Sequence, residues 1–399
     1  MRLVDISFTT TPRLEALREE VRAWLDAELP VEYEGFHWEF DETPERWAFY
    51  REFWKKQGAQ RWLEPTWPRE YGGAEMPPRA ARVVREEFNR RRAGGLGGIG
   101  MIVGPTILRL GTDEQKAFFL PGMAAGEIMW AEGYTEPNSG SDLASLRTRA
   151  VLDGDEWVID GQKTFCTAGH HCNWIIIAAR TDPDYEKRHN GISYFLTPMD
   201  TPGIELRPMY NLAGGRQNFV FLDDVHVPEH RMLGDLNKGW QQVWFGMGGN
   251  PIPVFESDDP GPETEYEPDP TGQAWVLDQL VEYCRTTTRD GQLLSDDPVV
   301  RRELADLAIG VEIGKLLAYE GRCPYGEHMH QAIIKEFQPE FAQRCMDIVG
   351  PLAQVQDGEW APLAGEIERT YRQSFANHAG GTSQVKRMVV ATRALGLPR

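Results

Sequence analysis

Three short segments combine hydroxyl, amide and turn-forming residues. They are residues 134–142 (YTEPNSGSD), 161–169 (GQKTFCTAG) and 380–387 (GGTSQVKR). Segments of this composition offer side-chain hydroxyls and the backbone N–H groups that turns leave free, which is the chemistry that binds a polar or anionic ligand. Taken by itself, the first segment also fits an ordinary turn.

Signals for other kinds of site are weaker. Residues 95–100 (GLGGIG) match the glycine pattern of dinucleotide-binding loops, but a charged helical pattern precedes them instead of a strand, so a helix-joining turn is predicted. The histidine pairs at 170 and 171, 226 and 230, and 328 and 330 lack a ligand-type set of carboxylates, and no metal site is predicted. Five cysteines without a C-x-x-C pair indicate reduced thiols.

The composition of the chain argues against binding to nucleic acid and against a membrane location. The chain has 399 residues, with 42 Lys and Arg against 61 Asp and Glu, and a net charge of −19. Such an acidic chain without a basic run is unsuited to nucleic acid and to anionic membranes. No apolar run is long enough to cross a bilayer, and residues from Thr11 onward have a charged amphipathic pattern unlike a signal peptide, so a cytoplasmic protein is expected.

The elements that position the three segments fall into three regions. Helical periodicity runs to about residue 128, short strand-like runs follow over residues 129–235, and helical periodicity returns over residues 236–399. The sequence therefore predicts an α+β fold with an N-terminal helical domain, a central antiparallel β-domain and a C-terminal four-helix bundle. Residues 251–270, rich in proline and acidic residues, are predicted to form an inserted loop.

Local signals predict where several elements begin. Pro12 opens a helix whose apolar residues recur every three or four positions, and Asp297 followed by Pro298 is a second helix start. The last helix begins at Thr382 and Ser383. Strands are predicted around residues 157–159, 174–179, 192–196, 204–206 and 218–222.

Several motifs in this order resemble the acyl-CoA dehydrogenase family of flavoproteins. Residues 111–116 (GTDEQK), 223–228 (DDVHVP) and 237–240 (NKGW) are similar to its G-T-x-E-Q-K helix start, its D-V-x-V-P strand and its N-x-G-W entry to the third domain. The resemblance covers nearly the whole chain and is closest to the divergent actinobacterial members that degrade steroids and their side chains. It implies the three-domain acyl-CoA dehydrogenase fold, bound FAD and an acyl-CoA thioester as substrate.

The resemblance also implies roles for single residues. Tyr134 and Thr135 match the segment that lines the pyrimidine side of FAD, where backbone N–H groups stabilise charge on the reduced flavin. Thr167 matches the hydroxyl that approaches flavin N5. Phe165 stands where the family commonly has Trp, which keeps ring packing but loses the indole N–H.

Other matched positions complete the expected cofactor and substrate contacts. Gly140 belongs to the cofactor-binding segment, and Ser141 matches a residue near the pantetheine arm of the substrate. Thr382 and Gln384 are expected to contact FAD at the start of the last helix, whose N-terminus favours the pyrophosphate. The adenine side departs from the family pattern, because R-x-x-F-G is replaced by residues 287–291 (TTRDG) and the Gly-Gly turn by Gly350 and Pro351.

The main departure concerns the carboxylate that removes the α-proton. The family places it either directly before the final G-T-S motif or about ten residues after the G-W pair, and these two positions hold Gly380 and Asn250. Gly380 is retained among the expected substrate-binding residues. Glu132, three residues before Thr135, is the first candidate for a relocated base, and Glu256 in the inserted loop is the second.

Three functions follow from the resemblance. The chain is an FAD-dependent enzyme that desaturates an acyl-CoA with hydride transfer to flavin N5, a non-catalytic subunit paired with an active homologue, or a flavin monooxygenase on the same fold. The implied partners are an electron acceptor such as an electron-transfer flavoprotein and further subunits of a homo- or heterotetramer.

Overall fold

The computed structural model describes residues 11–41, 43–94, 102–184, 188–240, 272–319, 326–376 and 380–398. They belong to two compact units, one within residues 10–260 and the other within residues 261–399. The 95–100 motif, Asn250, the 251–270 segment and Glu256 lie outside the described residues. Predictions that concern them stay predictions.

The first unit begins with helices. They are α1 (Pro12–Glu28), α2 (Pro44–Ala59), α3 (Pro78–Arg90), α4 (Val103–Leu110) and α5 (Asp113–Ala124). The predicted start of α1 is confirmed, because the Thr11 side chain accepts a hydrogen bond from the Leu14 N–H at 3.3 Å. In α5, the Thr112 and Gln115 side chains form a reciprocal capping box.

Aromatic side chains fill the space between these helices. Trp47, Trp54 and Phe53 of α2 are almost completely buried. The Phe36 ring stacks on Tyr50 with a centroid distance of 4.1 Å, and Trp24 packs edge-on against Trp62. The tryptophans of this region therefore contribute to the hydrophobic core, where large rings bury much apolar area.

An eight-stranded sheet follows the helices. Its strands are β1 (Trp130–Gly133), β2 (Arg149–Asp153), β3 (Glu156–Lys163), β4 (Trp174–Arg180), β5 (Ile192–Pro198), β6 (Ile204–Tyr210), β7 (Arg216–Pro228) and β8 (Met232–Leu233). They are ordered β6-β7-β3-β2-β4-β5-β8, with β1 beside β4. All five predicted strand regions are confirmed.

The predicted antiparallel character holds for most strand pairs of the sheet. Most neighbours are antiparallel, but β1 pairs in parallel with β4, and Arg149 of β2 pairs in parallel with Arg180. The chain reaches β4 from β1 through β2 and β3 instead of through a hairpin, so a parallel register is possible there. The sheet is therefore mixed.

The second unit is helical. It contains α6 (Gln273–Thr286), a hairpin of β9 (Thr288–Arg289) and β10 (Gln292–Leu293), α7 (Pro298–Tyr319), α8 (Gly326–Val349), α9 (Glu366–Ser374) and α10 (Ser383–Val389). The predicted start of α7 is confirmed, since Asp297 Oδ1 accepts from the Val299 N–H at 2.8 Å. Within the described residues, no helix has the length and apolar character needed to cross a membrane. The domain boundaries at residues 128 and 235 stay a prediction.

Candidate functional site

The segments that follow β1 and β3 meet at one edge of the sheet. The Thr164 N–H donates to the carbonyl oxygen of Thr135 at 2.9 Å. The Lys163 ammonium donates to the carbonyl oxygen of Tyr134 at 3.1 Å. Two of the three sequence segments are therefore held together by hydrogen bonds from the second segment to backbone carbonyls of the first.

A buried ion pair anchors this junction. Lys163 Nζ lies 2.8 Å from Glu136 Oε1, and both side chains are almost fully removed from solvent. The same carboxylate accepts hydrogen bonds from the backbone N–H groups of Arg147 and Thr148, at 2.7 and 2.8 Å. Burial alone would raise the pKa of Glu136, but Lys163 and the N–H donors outweigh it and hold that pKa below its usual value. Glu136 is therefore an ionised carboxylate that is paired with a cation and accepts two backbone hydrogen bonds.

Phe165 and Thr167 lie just beyond this pair. The Phe165 backbone has φ of 58°, a left-handed conformation that is unusual for an aromatic residue, and its side chain is 55% exposed. The Thr167 hydroxyl accepts from Gln217 Nε2 at 3.2 Å. Cys166, between them, exchanges backbone hydrogen bonds with Asn218 of β7. Residues 165–167 thus present a ring and a hydroxyl outward while the central residue, Cys166, is buried.

Glu132, the predicted relocated base, is the third residue of β1. Its side chain is partly exposed, but its Oε1 atom is enclosed and has no hydrogen-bond partner among the residues described. Burial raises the pKa of the carboxyl to about 7, and the charge of Glu39 adds to this rise. A carboxyl group with this pKa exists in both protonation states near neutral pH.

The surroundings of Glu132 are weakly polar. Tyr134 and Tyr194 are buried on its side of the sheet, and their rings meet edge to face with a centroid distance of 5.7 Å. The Cys166 thiol donates to the Glu132 carbonyl oxygen at 3.2 Å, and burial raises the pKa of this thiol to about 12. Neither the phenols nor the thiol is therefore charged near neutral pH.

Gly140 and Ser141 occupy an exposed turn after β1. The turn is held from within, since Ser139 Oγ donates to the Asp142 carbonyl oxygen at 2.9 Å and Glu136 and Ser139 exchange backbone hydrogen bonds. A Cβ added at Gly140 would meet nothing within 4 Å. Ser141 therefore lies on the surface of the same segment as Glu136.

Thr382, Gln384 and Gly380 belong to the second unit. The Thr382 side chain caps α10 by accepting from the Val385 N–H at 3.3 Å. Gly380 is exposed, with φ of 69°, and a Cβ added there would meet nothing within 4 Å. Position 380, one of the two predicted for the carboxylate base, is therefore open and carries no side chain.

The second unit also shows how Arg289 is used. Its guanidinium donates to the carbonyl oxygens of Ile348 and Val349, at 2.6 and 3.1 Å, where α8 ends. A cation at a helix C-terminus satisfies the last carbonyls and interacts favourably with the helix dipole. Arg289, the cation within residues 287–291 on the expected adenine side, is therefore used to stabilise the end of α8 in the second unit.

Sequence reasoning missed three residues of the site, namely Lys163, Glu136 and Tyr194. A signal for Lys163 was present, because Trp157, Ile159 and Lys163 alternate along β3 and all three are buried. In the described part of the chain, no group of three or more His, Cys, Asp or Glu side chains is placed to hold a metal ion. The cysteines that the structure describes are buried free thiols.

Comparison with known protein families agrees with this architecture. The N-terminal domain of acyl-CoA dehydrogenases matches residues 11–127, the middle domain residues 131–225 and the C-terminal domain residues 272–395. Each match falls on one region of the fold: the first helices, the sheet or the second unit.

Individual relatives match over the full length. Acyl-CoA dehydrogenase FadE26 of Mycobacterium tuberculosis is 30% identical, with 98% of each chain aligned. Among solved structures, the ChsE4-ChsE5 complex from Mycobacterium tuberculosis has a TM-score of 0.83 at 30% identity, covering 98% of this chain and all of the other. The Tcur3481-Tcur3483 steroid ACAD gives the same TM-score, identity and coverage.

Proposed function

The chain belongs to the acyl-CoA dehydrogenase family, and from this premise we propose that it desaturates an acyl-CoA thioester with bound FAD and with Glu132 as the base. The observation that carries the proposal is the enclosed, unpaired Oε1 of Glu132, whose pKa is raised to about 7. A base near neutral pKa is suited to taking a proton at physiological pH.

The residues at the junction of the two segments fit a flavin. Phe165 offers an exposed ring for stacking, Thr167 offers a hydroxyl, and Tyr134 and Thr135 directly follow the end of the adjoining strand β1. Gly140 and Ser141 would extend these contacts toward the rest of the cofactor and the pantetheine arm. FAD supplies the acceptor for the hydride that leaves the β-carbon of the acyl group.

The chain's own part in the reaction is to remove and hold the α-proton. Glu132 Oε1 has no competing donor in the described structure, so its lone pairs are available to a C–H group brought beside it. Nearby Tyr134, Tyr194 and Cys166 are neutral, so no cation among them holds the carboxylate in its ionised form. Glu132 therefore combines a raised proton affinity with a free acceptor atom.

Three residues of the second unit are also assigned ligand contacts in this proposal, namely Thr382, Gln384 and Gly380. Thr382 and Gln384 would hold FAD at the start of α10, and Gly380 would lie at the substrate. Because Arg289 already satisfies the carbonyls at the end of α8, the adenine end of FAD would receive less from this chain than from other family members.

A second candidate function is a subunit without chemistry of its own. It is favoured by Gly380, where the usual carboxylate is replaced by open space. It is also favoured by similar chains that occur in solved structures of a ChsE4-ChsE5 complex and a Tcur3481-Tcur3483 steroid ACAD. In this case the chain would assemble with a homologous subunit that contributes the base.

The visible absorption spectrum of the protein expressed alone tests these functions. The spectrum is recorded anaerobically before and after addition of a panel of acyl-CoA esters, including steroid side-chain esters. We expect flavin bands that bleach with at least one ester and recover when an electron-transfer flavoprotein is added.

Other outcomes favour the alternatives. A colourless protein that becomes flavin-loaded only when it is co-expressed with a homologous subunit would support the non-catalytic subunit. A flavin that no ester reduces, but that NADH or NADPH reduces, would support the monooxygenase. Either result would contradict desaturation by this chain alone.

A further inference from the structure

Two buried oxygen atoms, one of them on the proposed base, lack hydrogen-bond partners among the described residues. Glu132 Oε1 is one, and the hydroxyl oxygen of Tyr194 is the other; both are inaccessible to solvent and unpaired within the described ranges. Tyr194 is 1% exposed. Buried polar atoms in folded proteins are nearly always paired with protein or with ordered water, so two unpaired atoms in one region call for an explanation.

The register of the sheet places both residues on the same face. Glu132 pairs with Ile176 of β4, and Tyr194 of β5 pairs with Ala178, two residues further along β4. Because side chains alternate along a strand, Ile176 and Ala178 share a face, and Glu132 and Tyr194 share it with them. Tyr134 packs against Tyr194 in the same core cluster.

The two atoms have complementary needs. A carboxylate oxygen can only accept a hydrogen bond, whereas a phenol can donate one. A single water molecule or ligand hydroxyl between them can donate to the carboxylate and accept from the phenol, and buried waters commonly make about three such bonds. No hydrogen bond joins the two described side chains directly, so the two atoms can be paired only through a bridging group.

Among the described residues, few other titratable groups face this region. Directly after β1 the neighbour is Tyr134, whose pKa burial raises well above the usual value. The segment after β3 contributes Cys166 and Cys172, and the loop before α2 contributes Glu39, the only one of these groups whose charge bears on Glu132 near neutral pH. A third unpaired atom, Nε1 of Trp130, lies on the same face of β1.

We propose that Glu132 and Tyr194 together form a buried polar site that holds one water molecule or ligand hydroxyl, with Tyr194 as the positioning residue of the base. This inference rests on the proposed role of Glu132. In this arrangement the Tyr194 hydroxyl supports the ionised carboxylate through the bridging group and orients the carboxyl. After Glu132 has taken the α-proton, the carboxyl can donate to the same bridging group.

Infrared titration of the purified protein tests the site without turnover. The carbonyl band of protonated Glu132 is followed against pH and assigned by its loss in Glu132→Gln. In wild type we expect a midpoint near pH 7, the value to which burial raises the pKa of Glu132. Tyr194→Phe should move this midpoint upward by about one pH unit, because a hydrogen bond that favours the ionised form is lost.

Two matched variants and a stability measurement sharpen the test. Tyr210→Phe removes a phenol that is 74% exposed in the same unit and should leave the midpoint unchanged. An unchanged midpoint in Tyr194→Phe, or a shift caused by Tyr134→Phe instead, would overturn the inference. A bridged hydroxyl also predicts a lower melting temperature for Tyr194→Phe, whereas a hydroxyl without any partner predicts a higher one.

The role of Glu132 as the base and its shared site with Tyr194 can be disproved separately. If Glu132→Gln leaves α-proton exchange intact, the proposed base is wrong, although the shared site with Tyr194 can still be measured in the titration. If Glu132→Gln abolishes exchange while Tyr194→Phe shifts neither the midpoint nor the melting temperature, the base stands and the shared site is wrong.

Discussion

Two carboxyl groups four residues apart have opposite surroundings. Glu136 has a cation at 2.8 Å and two backbone N–H donors, and its pKa is lowered. Glu132 has an enclosed oxygen without a donor, and burial raises its pKa to about 7. The same residue type is therefore a fixed anion at one position and a group able to exchange its proton at the other.

The difference between the two carboxyl groups indicates that Glu136 has a structural role and Glu132 a chemical one. A buried charge is tolerated when it is paired and hydrogen-bonded, as Glu136 is, and such a group anchors the backbone around Tyr134 and Thr135. A buried carboxyl without partners costs stability, and such groups are concentrated at functional sites. Glu136 holds the segment in place, whereas the carboxyl group of Glu132 remains available for proton transfer.

Removing the cation of the pair should have the largest effect on stability. Lys163→Met leaves the Glu136 carboxylate buried without its counter-charge, which costs about 3–5 kcal/mol in comparable pairs. The free energy of unfolding, measured in urea at pH 7.5, should fall by this amount, and FAD should bind more weakly. A loss below about 1 kcal/mol would show that the pair does not hold the segment.

Removing both charges should be milder than removing one. In Lys163→Met with Glu136→Gln, no charge is left buried, and the introduced amide keeps an oxygen that can accept from the backbone N–H of Thr148 or Arg147. We expect the double variant to recover about 1–3 kcal/mol of the loss, measured as the coupling energy in a double-mutant cycle. Simple additivity of the two single changes would contradict a pair that acts as a unit.

Glu132→Gln should raise stability in alkaline solution. The pKa of Glu132 is about 7 in the folded protein against a usual value of 4.5, so the folded state keeps a proton that the unfolded chain has lost. Stability therefore falls as pH rises from about 4.5 to about 7, and the uncharged variant escapes this loss. At pH 8 it should be more stable than wild type by about 1–3 kcal/mol.

At pH 4 the two proteins should have the same stability, because Glu132 is then protonated in both states. Glu64, whose pKa burial raises to about 8, contributes a similar trend to both proteins and cancels from the difference. Equal stability of the two proteins at pH 8 would mean that Glu132 is not enclosed as described.

An exposed pair should show the smallest effect. Arg149 Nη2 lies 3.0 Å from Asp160 Oδ2 between β2 and β3, with the two side chains 63% and 33% exposed. Arg149→Ala should change the free energy of unfolding by only about 0–1 kcal/mol, because solvent screens the interaction. An effect as large as that of Lys163→Met would show that burial does not explain the difference between the pairs.

Much of the fold could be predicted because its signals are local. Thr11, Asp297 and Thr382 begin helices by accepting hydrogen bonds from the next residues, so their neighbours in the sequence suffice to recognise them. The strand regions follow from alternation of apolar residues over a few positions. The order of motifs then indicated the fold family.

The remaining features depend on residues that are distant in the sequence. Lys163 and Glu136 are 27 residues apart, and nothing near either position shows that they meet. β1 and β4 are neighbours in the sheet although β2 and β3 lie between them in the sequence, so their parallel pairing depends on the fold of the whole sheet. Glu132 was selected by its position before Thr135, but its unpaired oxygen and raised pKa arise from tertiary burial.

The most direct test of the central claim is exchange of the α-proton of an acyl-CoA with solvent deuterium, followed by mass spectrometry. The ester is one that bleaches the flavin of wild type, and Glu132→Gln is compared with wild type at equal FAD content. Exchange is expected to fall by about 10²–10⁴-fold in the variant while the flavin spectrum is unchanged. Exchange at the wild-type rate would contradict Glu132 as the base.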